Sequence, residues 1–293
     1  MSAPQVPSQA DRYAVIGNPV AHSKSPFIHA RFAAQTGERV EYDWLLAPLD
    51  GFVATVRAFI ASGGRGLNVT VPFKLEAYAL ADTHSARAAA AGAVNTLRFD
   101  ADGIYGDNTD GVGLVRDIET NLGVALKGAR VLVLGAGGAA RGVVLPLLER
   151  GPRGLAIVNR TASKAEGLVA QFGAAAYEAG CTLTGGGPDA VDPYPYDVIV
   201  NATAGSLDAA LPDCDDRAFG AATLAYDMMY GAEPTVFMRH AQSLGARAAD
   251  GLGMLVEQAA ESFYVWRGVR PDSAPVLAEL RAQLAGLRAA QKA

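Results

Sequence analysis

Five short polar runs in this sequence carry side chains that could bind and transform a small anion. In HSKSP, residues 22–26, Ser23 and Ser25 stand one residue apart at a proline that suits the first turn of a helix. Two hydroxyls beside a helix N-terminus can donate to a carboxylate, although the same pattern also serves as a plain capping turn. In NVTVPFK, residues 68–74, polar and apolar residues alternate, so a strand there projects Asn68 and Thr70 opposite Val69 and Val71. Lys74 closes that run, either as a solvated cap with its stem on apolar surface or, in a pocket, as a proton donor. GDNTDG, residues 106–111, holds Asp107 and Asp110, and either carboxylate could also cap the helix that follows. Asn95 falls within an apolar strand read over residues 93–98, where a buried amide must find a partner in a ligand or a turn.

The fourth run, GAGGAA at 135–140, follows the apolar residues 131–134 and precedes a helix expected over 141–149. Its pattern is GxGxxA. Gly135 allows a tight turn, Gly137 lets backbone N–H groups approach a pyrophosphate, and Ala140 is small enough for the helix to sit on the strand. An ordinary strand-to-helix turn can use the same residues, but the strand–loop–helix setting favours a dinucleotide. The fifth run, NRTASK at 159–164, ends the next strand, where an NAD enzyme usually places a carboxylate for the ribose. Here stand the cations Arg160 and Lys164 and the donor Thr161, which suit a 2′-phosphate and so favour NADP over NAD. Thr161 would also cap a surface helix.

Composition limits the partners. The chain has 293 residues, 50% hydrophobic and 19% charged, with a net charge of −5, which disfavours nucleic acid or an anionic membrane. At roughly 100–200 residues per domain, two domains are expected. Cys181 and Cys214 form no CxxC and the four histidines make no metal-binding spacing, so no metal is expected. No apolar signal core opens the chain, and the run 131–148 is broken by Arg141, so the reading is a cytoplasmic protein, monomer or homodimer.

Two series of alternating strands and helices must position these runs. The first has strands over 13–16, 40–46, 66–71 and 93–98, with helices over 25–35, 52–62 and 74–81. A helix over 112–121 leads out of it. The second has strands over 131–134, 155–158, 198–200 and 224–226, while 182–196 reads as loop. Helices over 254–266 and 273–290 close the chain. Such alternation predicts an α/β protein with mainly parallel sheets.

The order of the motifs IGNPVAHSKSP, NVTVPFK, GAVNTL, GDNTDG, GAGGAARG, NRT, NAT, YDMMY and DGLGMLVEQAA resembles that of the shikimate dehydrogenases of the biosynthetic, NADP-linked kind, over residues 13–272. The resemblance implies an N-terminal α/β substrate-binding domain, a Rossmann-like NADP-binding domain, and C-terminal helices packing back on the first. The implied division is 1–112 with 253–293, against 113–252. It implies reversible NADPH-dependent reduction of 3-dehydroshikimate to shikimate. Ser23 and Ser25 would hold the substrate carboxylate, while Thr70, Asn95, Asp110 and Gln258 would hold the ring hydroxyls. Lys74 would be the acid/base with Asp110 beside it, and Tyr230 would close the pocket. Gly135, Ala136, Gly137, Gly138, Ala139, Asn159, Arg160, Thr161 and Lys164 would hold NADP, with Met228 and Gly251 near the nicotinamide. Two departures stand out: Ala204-Gly-Ser-Leu207 replaces a serine-rich continuation after the NAT motif, and Lys164 stands where arginine is frequent. Relaxed use of quinate or NAD, and a non-catalytic NADP-binding regulator, are the alternatives; intact Lys74 and Asp110 weigh against the second.

Overall fold

Six strands build the first sheet and six the second. The computed structural model describes residues 10–203 and 211–292; the departure at 204–207 therefore lies outside the described residues. In chain order the first series is β1 (Asp11–Gly17), α1 (Ser25–Thr36), β2 (Val40–Leu46), α2 (Phe52–Ala61), β3 (Gly64–Val69), α3 (Lys74–Leu80), β4 (Thr83–His84), α4 (Ala86–Ala91), β5 (Thr96–Asp100) and β6 (Gly103–Asp107). Its sheet runs β2-β1-β3-β5-β6-β4. β1 lies parallel to β2 and β3, whereas β5 is antiparallel to both β3 and β6.

The second series is α5 (Asp110–Arg116), β7 (Arg130–Leu134), α6 (Gly138–Leu148), β8 (Gly154–Val158), α7 (Ala162–Glu178), β9 (Thr182–Gly186), β10 (Val198–Asn201), β11 (Leu224–Asp227), α8 (Val236–Ser243), β12 (Arg247–Asp250), α9 (Leu252–Arg267) and α10 (Ala274–Lys292). Its strands are all parallel, in the order β12-β11-β10-β7-β8-β9. The central strands β10 and β11 are buried at every position, as expected where helices cover both faces of a parallel sheet.

Several expected elements shift. β3 ends at Val69, so Thr70 and Val71 are not on the strand, and Val71 is 67% exposed rather than packed beside Val69. The cause is a turn: after a last rung to β1, from the Thr70 N–H to Ile16 O at 2.9 Å, the Phe73 N–H donates to Thr70 O at 3.1 Å. Asn95 likewise precedes β5 and is not inside it. α6 begins at Gly138, three residues before the expected start, with Gly137 as its cap. Residues 182–186 form the edge strand β9 where a loop was expected; its glycines and threonines still pair with β8 through the backbone.

The chain divides into two units, Met1–Asn108 with Ala259–Asp272 and Thr109–Gln258 with Ser273–Ala293. These bounds differ from the expected ones at α5 and α10. α5 belongs to the second unit because Gly111 meets α6 so closely that a Cβ there would come 2.4 Å from Pro146. α10 groups there too: Arg281 bonds Asp250 at 2.7 Å, and the Ser273 hydroxyl donates to Glu257. The C-terminal half of α9 stays with the first unit, where Trp266 stacks on Tyr13 at 4.6 Å and Arg267 pairs with Glu38 and Asp11.

Candidate active site

Strand direction gathers the first set of polar residues. β1 and β3 are parallel, so the loops after them leave from the same edge of the sheet. Because β5 runs the other way, with Asn68 opposite Thr96, its beginning lies at that edge as well. Ser23 and Ser25 follow β1, Thr70 and Lys74 follow β3, and Asn95 precedes β5. Five predicted residues thus share one edge, the carboxyl end of the parallel strands, where ligands bind in open α/β sheets.

Local packing secures each of them. Ser23 and Ser25 come together with their hydroxyls 3.1 Å apart, and Ser23 Oγ accepts the Ser25 N–H at 3.3 Å at the start of α1. The Asn18 N–H donates to Val71 O at 3.0 Å, stitching the loop after β1 to the loop after β3. Gly17 must lack a side chain there, since a Cβ would come 2.5 Å from the Thr70 methyl. Lys74 is half-buried and opens α3, directly after Phe73, which is fully buried and stacks on Phe52 at 5.0 Å. Burial of such a ring is worth ~1.5–3 kcal/mol, enough to pin the residue beside it.

Asn95 is 3% exposed and accepts the Thr96 hydroxyl at 2.9 Å on its Oδ1. Behind it, Asn68 takes the Tyr42 hydroxyl at 2.8 Å and lies 3.2 Å from His29 Nε2. Burial holds the His29 imidazole down to about 3 and pushes the Tyr42 phenol well up, the latter opposed by a hydrogen bond with Ser25.

Of the two carboxylates in GDNTDG, Asp107 is fully committed. It accepts Arg87 at 2.7 and 2.6 Å, the Ser85 hydroxyl at 2.5 Å and the Asn108 N–H at 2.7 Å. Asp110 is buried and is the first residue of α5, after Thr109, whose side chain makes no cap. The capping role considered for Asp107 is thus replaced by an ion pair.

In the second unit, Gly135 has φ +107°, and a Cβ there would meet Thr203 at 3.1 Å and Ala202 at 3.3 Å. Gly137 and Gly138 differ: a Cβ at either meets no protein atom within 4 Å. Among the described residues nothing needs glycine at those two positions, and the backbone at the start of α6 is bare toward them. Ala139 is exposed there and Ala140 fully buried against the sheet, as its size requires. A cavity of about 390 Å³ lies beside this turn, lined by Gly135, Asn159, Arg160, Thr161, Lys164, Thr203 and Asp213 among others. Asn159 is fixed by donating to Thr161 O at 3.0 Å, while Arg160, Thr161 and Lys164 are exposed. Thr161 precedes α7 but makes no side-chain cap, which leaves its hydroxyl out of the helix end. Asp213 is a wall of this cavity that the sequence reading missed, since it lies 49 positions beyond Lys164 and in no motif.

Met228 and Gly251 also meet: a Cβ on Gly251 would come 2.2 Å from Met228 O, so only glycine fits. Tyr230 is half-buried, its phenol raised by burial and by the charge of Asp250. Gln258 lies on α9 against Gly113, where a Cβ would come 2.8 Å from the Gln258 backbone nitrogen. Asp110, Tyr230 and Gln258 therefore belong to the second unit, and Ser23, Ser25, Thr70, Lys74 and Asn95 to the first.

Three family models match in order: the shikimate dehydrogenase substrate binding domain over residues 15–97, shikimate / quinate 5-dehydrogenase over 117–206, and the shikimate 5′-dehydrogenase C-terminal domain over 251–281. A shikimate dehydrogenase (NADP(+)) of Cupriavidus taiwanensis is 61% identical over 284 residues, spanning 95% of this chain and 96% of that protein. This chain belongs to the shikimate dehydrogenase family. Among solved structures, an Ael1 enzyme from Pseudomonas putida is 47% identical with a TM-score of 0.87, covering 92% of this chain and 98% of that one. The shikimate 5-dehydrogenase of Thermus thermophilus, in complex with NADP(H) and shikimate, is 32% identical with a TM-score of 0.79, covering 94% and 99%. Family membership and the two-sheet α/β architecture agree with the motif order. Among the described residues, no helix is long and apolar enough to cross a membrane, and no cluster of three or more His, Cys, Asp or Glu could hold a metal.

Proposed function

We propose that this chain reduces 3-dehydroshikimate to shikimate with NADPH, reversibly, as a step of aromatic amino acid and chorismate biosynthesis. The observation that carries the reading is Lys74, held by the buried Phe73 at the sheet edge that also presents Ser23, Ser25, Thr70 and Asn95, in a chain of this family. The first unit would be the substrate-binding domain and the second the NADP-binding one. The bare start of α6 fits a pyrophosphate and the cavity beside it a 2′-phosphate: Arg160 and Lys164 line it against one carboxylate, Asp213, and no acid ends β8. Gly135, Ala136, Gly137, Gly138 and Ala139 would hold the pyrophosphate. Asn159, Arg160, Thr161 and Lys164 would hold the adenosine end, and Met228 and Gly251 would flank the nicotinamide.

When bound, the nicotinamide supplies the hydride for reduction and takes it in the reverse direction. Lys74 Nζ donates a proton to the ketone oxygen as it becomes a hydroxyl, and neutral lysine removes it in the reverse direction. Ser23 and Ser25 hold the carboxylate by hydroxyl donation, which sets the ring's orientation before any proton moves. Thr70, Asn95, Asp110 and Gln258 bind the ring hydroxyls, and Tyr230 covers them. The cytoplasm is the proposed compartment, in keeping with the free thiols of Cys181 and Cys214.

The test is nicotinamide absorbance with shikimate and NADP⁺, run beside quinate and NAD⁺. Turnover with shikimate and NADP⁺ should exceed each alternative by at least ~10-fold. Equal turnover of quinate overturns the substrate assignment, and no turnover with either acid overturns the enzymatic reading.

A further inference from the structure

The side chains behind Asn95 form a hydrogen-bonded relay whose direction is set by one carbonyl group. Asn68 Nδ2 lies 3.3 Å from the main-chain oxygen of Asn95, which can only accept. The NH2 end of Asn68 therefore faces β5, and its Oδ1 faces Tyr42 and His29. Tyr42 then donates to that oxygen, and His29 donates to it from Nε2. Burial keeps His29 neutral, so the ring has a single N–H; its Nδ1 is buried without a partner, as an unprotonated nitrogen can be at less cost than an orphan donor.

Beyond Asn68 the protons run one way. One Nδ2 proton goes to Ser262 Oγ at 2.9 Å, and the other is shared between Thr96 Oγ1 at 3.2 Å and the Asn95 carbonyl at 3.3 Å. Thr96 passes its own proton to Asn95 Oδ1 at 2.9 Å. In the 2.8 Å contact between Thr96 and Ser262 the donor is consequently Ser262. Thr96 and Ser262 are both completely buried, so water does not compete for these bonds.

We propose that Thr96 is a positioning residue: by claiming the oxygen end of the Asn95 amide, it makes Asn95 offer its NH2 end to the substrate and so recognise a ring oxygen as an acceptor. This rests on the reading that Asn95 holds a ring hydroxyl. Without the Thr96 proton the oxygen end of the amide loses this donor, and an Asn95 that flips meets the substrate oxygen with a lone pair. The effect falls on substrate binding and leaves the chemical step at Lys74 intact.

The experiment is steady-state kinetics of the full chain with shikimate and NADP⁺, each variant first checked by thermal melting. Thr96→Val keeps the shape and removes the proton; KM for shikimate should rise about tenfold with kcat within about twofold. Thr96→Ser, which keeps the hydroxyl, should restore KM. In an Asn95→Ala background Thr96→Val should add nothing, because it acts only through Asn95. Asn95→Asp, similar in shape but without an N–H donor, should bind shikimate no better than Asn95→Ala, which keeps the idea testable even if Thr96→Val fails to fold. Wild-type KM in Thr96→Val or in Asn95→Asp, or an undiminished penalty in the Asn95→Ala background, overturns the proposal. If Asn95→Ala itself leaves KM unchanged, the assignment of Asn95 to substrate falls and the relay with it. If Asn95→Ala raises KM and Thr96→Val does not, the relay alone falls.

Discussion

The two candidate binding regions use opposite physical means. In the first unit the polar groups at the sheet edge other than Lys74 are buried or half-buried uncharged dipoles, with His29, Asn68, Tyr42, Thr96 and Asn95 in one network. Its buried charges are paired internally, Arg87 with Asp107 and Glu261. In the second unit the cavity beside the glycine turn is lined by exposed Arg160 and Lys164, with one carboxylate, Asp213, in its wall. A small polyol is distinguished from its isomers by the positions of its hydroxyls, and only dipoles whose directions are already fixed can read them. A phosphate dianion is recognised by charge, which works through water and tolerates side-chain freedom but is weakened by salt. On the proposed function the acidic chain would bind anions without being basic overall: a few donors at each place suffice.

Four experiments can break or sharpen this contrast. Lys74→Ala should lower kcat by ~10²–10⁴-fold with KM for shikimate little changed, measured by steady-state kinetics. Near-normal turnover would remove the chemical step from the sheet edge altogether. Arg160→Ala should raise KM for NADP⁺ by ~10–100-fold, leave KM for shikimate unchanged, and flatten the dependence of cofactor binding on salt. An equal loss for NAD⁺ would show that the arginine does not read the extra phosphate. The glycines separate ligand from fold: Gly137→Ala should leave the melting temperature within ~2 °C and weaken NADP⁺ binding. Gly135→Ala, forced to φ +107° against Thr203, should cost ~1–2 kcal/mol of stability in urea melts.

A pH dependence tests the buried network. His29 is neutral when folded, its imidazole held down to about 3 by burial, but takes up a proton near 6.5 when unfolded. Its contribution is therefore fully present above pH ~6.5 and declines as pH falls toward ~3, by up to ~1.4 kcal/mol per pH unit. His29→Phe should remove that part of the slope in urea melts between those limits, whatever its effect on stability at neutral pH. An unchanged slope would mean that His29 titrates alike in both states.

Much of this was legible along the chain. β2 spans residues 40–46 as the apolar pattern indicated, and the turn before α6 follows from its glycines. β9 was not, because its glycines and threonines carry no apolar signal and its pairing is an affair of backbone alone. α8 and β12 were missed too; the strand, two alanines between Arg247 and Asp250, lacks the apolar run that marks the equally short β10 and β11. Thr70 left its strand because its own carbonyl takes the Phe73 N–H in a turn, which the polar–apolar alternation of the run does not show.

By itself the sequence determined the order of the elements, the glycine turn, the lack of an acid after β8, and the short list of hydroxyls, amides and one lysine that could do the chemistry. These depend on residues within a few positions of one another, where spacing is geometry. The tertiary structure alone decided that β5 runs antiparallel, which brings Asn95 to the edge that holds Lys74. It also decided that Arg87 takes Asp107, and that the protons behind Asn95 run from Asn68 through Thr96. The physical reason is that strand partners and hydrogen-bond direction are set by whatever lies opposite in space: for Asn68, a carbonyl 27 residues away.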